Sequence, residues 1–175
     1  GMIVSRLSRA ARGLPGRLMI RAQAAMPATA LESMPCGVMA RLAARIACWA
    51  LALPVLKFWL PLPTLARLMW VEGRGPARGA EGVEKVVALT RWICRAGGLR
   101  PEGNCLERGL LLYRFLSAMD ARPRLVVGAR VTDEGVLGHV WVTVGGWPVG
   151  EPTTALDGFT PIVVFGDGGR PLPRA

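Results

Sequence analysis

Hydrophobic and polar positions divide this chain into two unlike halves. From Cys36 to Val71 apolar residues dominate. Met39, Leu42, Ala43, Ile46, Ala47, Trp49, Ala50 and Leu53 read as a helix buried on most sides, and Pro54 is expected to interrupt it. Residues Leu65 to Val71 return to a helical spacing after Pro61-Leu62-Pro63, with Thr64 near the start. A membrane-spanning helix needs about 20 apolar residues in a row. Pro54, Lys57, Pro61 and Pro63 break the run, which favours two packed helices joined by a proline turn. Peripheral membrane contact stays open.

Gly73 to Gly79 reads as a loop. Val83, Val86, Val87, Thr90, Ile93 and Cys94 then fall at helical spacing, with Gly97-Gly98 as the stop. A further helix is marked by Leu106, Leu110, Tyr113 and Leu116 and runs to about Asp120. Beyond Pro123 the period changes from helical to alternating. Leu125, Val127 and Ala129 alternate in one strand, and Asp133-Glu134-Gly135 signals a hairpin. Val140, Val142 and Val144 alternate with His139, Trp141 and Thr143 in the next. Trp147 to Glu151 and Pro161 to Phe165 complete the strand-like segments. Helices first and an antiparallel sheet afterwards make an α+β domain, with the N-terminal helices packed on the sheet.

Composition adds little to the fold and something to the setting. Apolar residues make up 51% of the 175, enough for one well-cored domain. The formal charge is +10, carried almost wholly by arginine, since Lys57 and Lys85 are the only lysines. Such a charge attracts anionic partners, but no zinc pattern, phosphate loop or aromatic RNA-binding signature accompanies it, so no nucleic-acid partner is expected. Residues 1–36 form a basic extension in which Arg6, Arg9, Arg12, Arg17 and Arg21 stand among apolar residues; an amphipathic helix, a targeting segment or a frayed arm all fit. Residues 37–175 form the domain proper.

Cys36, Cys48, Cys94 and Cys105 contain no C-x-x-C pair, and His139 is the sole histidine. No zinc set follows, nor any other metal or cofactor site, and a reducing cytoplasm is the expected compartment. One cysteine has a setting of its own. Cys105 stands at the first helical position after Asn104, an expected N-cap whose side-chain oxygen could accept from a first-turn N–H. The positive end of the helix dipole favours thiolate there. Cys94, on the apolar side of its helix, reads as core. A cysteine at a helix start, a histidine on a later strand and a carboxylate past the next turn is the layout of a Cys-His-acid triad: Cys105, His139 and Glu151. Glu107 and Arg108 read as a solvated pair, with support of the sheet or of the acid by Arg108 as the functional alternative. Trp141 shares the face of His139 and either walls a groove or belongs to the core. The Cys105 backbone N–H is the natural oxyanion donor; Gln23, the only glutamine, is remote in sequence.

The runs Asn104-Cys105-Leu106-Glu107-Arg108, Arg124 to Arg130 and Gly138-His139-Val140-Trp141-Val142 resemble the transglutaminase-like B proteins of lasso peptide biosynthesis. The resemblance covers roughly residues 37–152. It implies a transglutaminase- and papain-like cysteine peptidase fold and a cytoplasmic leader peptidase. Its substrate would be a ribosomally made precursor peptide, cut before a cyclase closes the ring. By position it maps the nucleophile to Cys105 and the base to His139. The family's acid, usually Asp, lies about a dozen residues past the histidine, where this chain has Glu151; Asp157 is the second candidate. Val140 replaces the alanine common after the histidine. Relatives carry or recruit a small winged-helix domain that grips the leader. Residues 1–36 are too short for it, so a separate leader-binding protein is expected, with the cyclase as a further partner. Two other readings remain: acyl transfer to an amine on the same triad, and a non-enzymatic membrane-surface or partner protein with a relict site.

Overall fold

The computed structural model describes residues 36–73, 80–96 and 104–173. The expected extension over 1–36 lies outside the described residues except for Cys36. Four helices come first: α1 (Cys36–Trp59), α2 (Leu62–Met69), α3 (Ala80–Ala96) and α4 (Cys105–Ser117). The strands follow: β1 (Arg124–Thr132), β2 (Gly135–Val144), β3 (Trp147–Val149) and β4 (Thr160–Phe165). They pair antiparallel in the order β3-β2-β1-β4. This is the expected α+β arrangement.

The centre of the molecule is α4. Leu110, Leu111, Leu112, Tyr113, Phe115 and Leu116 are all buried, so the helix is apolar on nearly every side and needs cover all round. The sheet covers one side; α1, α2 and α3 cover the others. Contact with the sheet is close because Gly109 has no side chain. A Cβ there would stand 2.9 Å from Val140 Cγ1 and 3.2 Å from Leu125 Cδ1. At its far end the helix is tied down by Tyr113, whose hydroxyl donates to the Gly166 carbonyl and whose ring lies 5.5 Å from that of Trp70. The chain leaves α4 through Asp120 at φ 56°, with the Ala121 N–H donating back to the Leu116 carbonyl, so the helix ends at Ser117 and a turn carries the chain past Asp120.

Two expectations about α1 are corrected. Pro54 does not end the helix, which continues to Trp59; the break falls at Leu60-Pro61. A mid-helix proline removes one N–H donor and crowds the carbonyl four residues back. Here Leu53, fully buried, holds the helix on the core, and the Leu60 N–H still donates to the Leu56 carbonyl. Nor is α1 buried on most sides. Ile46, Ala50 and Leu53 face the core, whereas Leu51, Val55, Phe58 and Trp59 are 59–82% exposed. Among the described residues α1 is the one helix long and apolar enough to cross a membrane, judged by length and composition alone.

β1 and β2 form a hairpin through the two residues Asp133 and Glu134. Gly145 and Gly146, both at positive φ, turn the chain from β2 into β3. The register Val142↔Val149 brings the residues after β3 back alongside the first half of β2, where His139 lies.

Candidate active site

Three elements meet at Cys105. The thiol comes from the first residue of α4, the imidazole from β2, and the carboxylate from the loop after β3. His139 Nε2 and Glu151 Oε2 are 2.7 Å apart. With Nε2 held by the acid, the other ring nitrogen is left for the thiol, whose ionisation His139 favours. Glu151 is only 9% exposed despite its charge. Its second oxygen is gripped by the Arg108 guanidinium, from the turn of α4 that follows Cys105. The acid therefore connects the imidazole to the helix that carries the thiol.

The electrostatics match this geometry. The hydrogen bond from His139 pulls the Cys105 thiol below its ordinary value; burial opposes it, and the Val140 backbone and the Arg108 charge assist. His139 is pushed up to about 9, first by Cys105 and then by Glu151, against the cost of burial. For Glu151 burial is the largest influence and raises it, yet His139 and Arg108 together hold its carboxyl below the usual range. The three shifts act together in favour of a thiolate, an imidazolium and a carboxylate. Cys94 behaves in the opposite way: burial pushes its thiol up, only partly offset by Arg108.

One prediction follows directly. The thiolate–imidazolium pair exists between the lowered thiol and the raised imidazole. Reactivity at Cys105 should therefore climb at a pH below the ordinary thiol range. The imidazolium proton, needed by a leaving group, should be lost near pH 9. A pH profile of kcat/KM should show an alkaline limb near 9; a limb near the ordinary histidine value of about 6.5 would mean that His139 is not so paired.

Asp157, the second candidate for the acid, is exposed at the end of a short 3-10 turn, Thr153–Leu156. Its contact is through the backbone: its carbonyl accepts from Arg130 Nη1 at 3.2 Å. Glu151, not Asp157, stands against His139.

Other local expectations are revised. Asn104 occupies the N-cap position, but at φ −114° and ψ 28° its side chain makes no capping hydrogen bond. Its carbonyl accepts from the Arg108 N–H at 3.0 Å. Glu107 and Arg108 are not a solvated pair. Glu107 is 1% exposed and bonds Lys57 Nζ at 2.6 Å, while Arg108 turns to Glu151. Trp141 is buried, its ring 6.1 Å from that of His139 and inclined by 18°. A side chain at Gly128 on β1 would fall 2.7 Å from the Trp141 ring, so the glycine makes the space in which the indole lies.

Phe159 is a site neighbour that sequence reasoning passed over. Its ring centroid is 5.3 Å from that of His139 and 6.4 Å from Trp141, and Arg130 sits over its outer face at 4.8 Å. Its only signal in the sequence is an aromatic residue after Gly158, which has no periodicity to mark it. Gln23 lies outside the described residues. Among the described residues no cluster of His, Cys, Asp and Glu could hold a metal, and all four cysteines are free thiols.

A cavity of about 320 Å³ opens beside His139 and Glu151, its wall also including Asn104 and Cys94. A thiol lowered by an oriented imidazole that can carry its proton, as Cys105 is by His139, can attack a carbonyl and hold an acyl group.

No curated protein and no solved structure matches the chain. Among protein families, the model of the transglutaminase-like superfamily matches residues 47–164, a span from the middle of α1 to β4 that includes all three residues of the site. With its helix-borne cysteine, strand-borne histidine and antiparallel sheet, the chain belongs to the transglutaminase-like superfamily.

Proposed function

We propose that this protein is a cysteine peptidase that removes the leader from a ribosomally made lasso peptide precursor, with Cys105 as nucleophile, His139 as acid and base, and Glu151 as the group that orients His139. The superfamily consists in general of cysteine-dependent enzymes, which supports the chemistry. The resemblance of the runs around Cys105 and His139 to lasso leader peptidases supports the substrate. The single observation that carries the catalytic reading is the 2.7 Å contact of His139 with Glu151, beside a Cys105 thiol that the same imidazole lowers.

The steps are those of a thiol peptidase. The Cys105 thiolate adds to the scissile carbonyl, and the oxyanion is met by the Cys105 backbone N–H at the positive end of α4. His139 gives its proton to the departing amine, leaving a thioester on Cys105. Neutral His139 then takes a proton from water, which attacks the thioester and frees the acid product. An amine in place of that water would give an amide, the acyl-transfer alternative.

The enzyme is proposed to work in the cytoplasm beside a separate winged-helix protein that holds the leader, with the cyclase receiving the freed peptide. A short groove offers little affinity for an extended peptide once ordering costs are met. A partner that tethers the precursor raises its concentration at Cys105 into the mM range. The test is a mass-spectrometric time course on a full precursor, with and without the partner, at two salt concentrations. Cleavage should be about 10- to 100-fold faster with the partner, should yield a free acid, and should weaken as salt rises. Cys105→Ala should be inactive throughout. Equal rates with and without partner would sink the two-protein arrangement, and an amide product would replace the peptidase by an acyltransferase.

A further inference from the structure

The wall of the cavity beside His139 is markedly basic. Arg91 and Arg95 lie one turn apart on α3 and share that wall with Cys94, Asn104, Arg108, His139 and Glu151. Three arginines and one carboxylate thus line the cavity, and that carboxylate already engages Arg108 and His139. Among the described residues no ion pair joins Arg91 or Arg95 to an acid. Like charges four residues apart on a helix repel each other, so this pair costs helix stability unless an anion comes between them. A guanidinium fork fits a carboxylate through two parallel N–H donors.

The geometry points to a carboxylate-binding subsite formed by Arg91 and Arg95, which selects peptides that carry a carboxylate near the bond attacked by Cys105. The peptide character of this ligand rests on the peptidase reading above; the subsite itself does not. The carboxylate can belong to an Asp or Glu side chain or to a chain end. Next to Asn104, the neighbour of the nucleophile, it would lie where the substrate must pass.

The test needs no turnover, so its failure is distinct from failure of the peptidase reading. Iodoacetate and iodoacetamide are similar in size and differ in charge. Their rate ratio at Cys105, read by peptide mass, reports an anion site beside the thiol. Arg91→Gln/Arg95→Gln should lower the ratio of iodoacetate to iodoacetamide about fivefold while leaving the iodoacetamide rate within twofold, which also shows that the site is folded. Arg41→Gln/Arg45→Gln on α1 removes the same charge elsewhere and should leave the ratio unchanged. Equal ratios in the wild type and the Arg91/Arg95 variant, or an equal fall in the α1 control, would overturn the subsite. Protection of Cys105 from iodoacetamide then identifies the source. The probes are amidated Gly-Glu-Gly, amidated Gly-Gln-Gly, and Gly-Gln-Gly with a free C-terminus. Protection by the first assigns a side-chain carboxylate, and by the last a chain end; either supports the subsite if it disappears in the Arg91/Arg95 variant. Equal protection by charged and neutral peptides would overturn it.

Discussion

Glu151→Gln is expected to lower kcat by about 100- to 10,000-fold while the protein stays folded, the scale of loss when a triad histidine loses its orienting acid. Glutamine has nearly the shape of the glutamate, so packing against β2 survives. Its amide carries no charge, and one end of it is a donor. It cannot accept from both Arg108 and His139, as the two carboxylate oxygens do. Arg108 would lose its counter-ion, and His139 would lose one of the two partners that hold its pKa near 9. The imidazolium, and with it the thiolate of Cys105, should become scarcer at neutral pH. The alkaline limb of the pH profile should therefore move down, which a merely structural acid would not cause. Asp157→Asn, at an exposed position, should change kcat by less than about twofold. If Asp157→Asn removed activity and Glu151→Gln did not, the acid would have to be reassigned.

The second large effect concerns stability. Lys57 on α1 and Glu107 on α4 form an ion pair at 2.6 Å between the outer helix and the central one. The Glu107 side chain is 2% exposed and its Oε2 has no hydrogen-bond partner among the described residues, whereas the Lys57 side chain is 31% exposed. Lys57→Met leaves a buried carboxylate without its cation. Removing one partner of an enclosed pair costs about 3–5 kcal/mol. Because Lys57 reaches solvent, roughly 2–4 kcal/mol is expected here. The double variant Lys57→Met/Glu107→Met removes both charges and should recover most of the loss, since a well-packed apolar pair is often as stable as a buried ion pair. Urea denaturation of the wild type, both single variants and the double variant completes the cycle. A cost below about 0.5 kcal/mol for Lys57→Met would place this pair with ordinary surface bridges.

The parts of this architecture that were legible in the sequence are those with a period. The spacing of Leu106, Leu110, Tyr113 and Leu116 located α4, and the alternation around His139 located β2. Asp133-Glu134-Gly135 marked a hairpin that forms at that turn. Glu151 could be chosen because hairpin pairing converts spacing along the chain into proximity: the turn at Gly145-Gly146 returns β3 along β2 and sets the acid beside the histidine. Tertiary choices were not legible. Nothing in Glu107-Arg108 says that the first side chain turns inward to Lys57 and the second to Glu151; both partners are more than 40 residues away. Phe159 reaches His139 only because its loop folds over the sheet. An apolar run also does not reveal which of its faces the core will use, so α1 looked enclosed when only Ile46, Ala50 and Leu53 are fully buried. Pro54 misled because a proline predicts a break from local backbone chemistry, whereas core packing on Leu53 carries the helix through it.

The most direct measurement is alkylation by a limiting dose of iodoacetamide at pH 6.5, with the label on each cysteine read by peptide mass. Exposure alone favours Cys36 and Cys48, which are open to solvent while Cys105 is half-buried and Cys94 buried. Charge favours Cys105, the thiol that His139 pulls below its ordinary value. Cys105 should be labelled first, and His139→Ala should abolish that preference. Labelling led by Cys36 or Cys48 in the wild type, or a Cys105 preference that survives His139→Ala, would contradict an activated thiol at the start of α4.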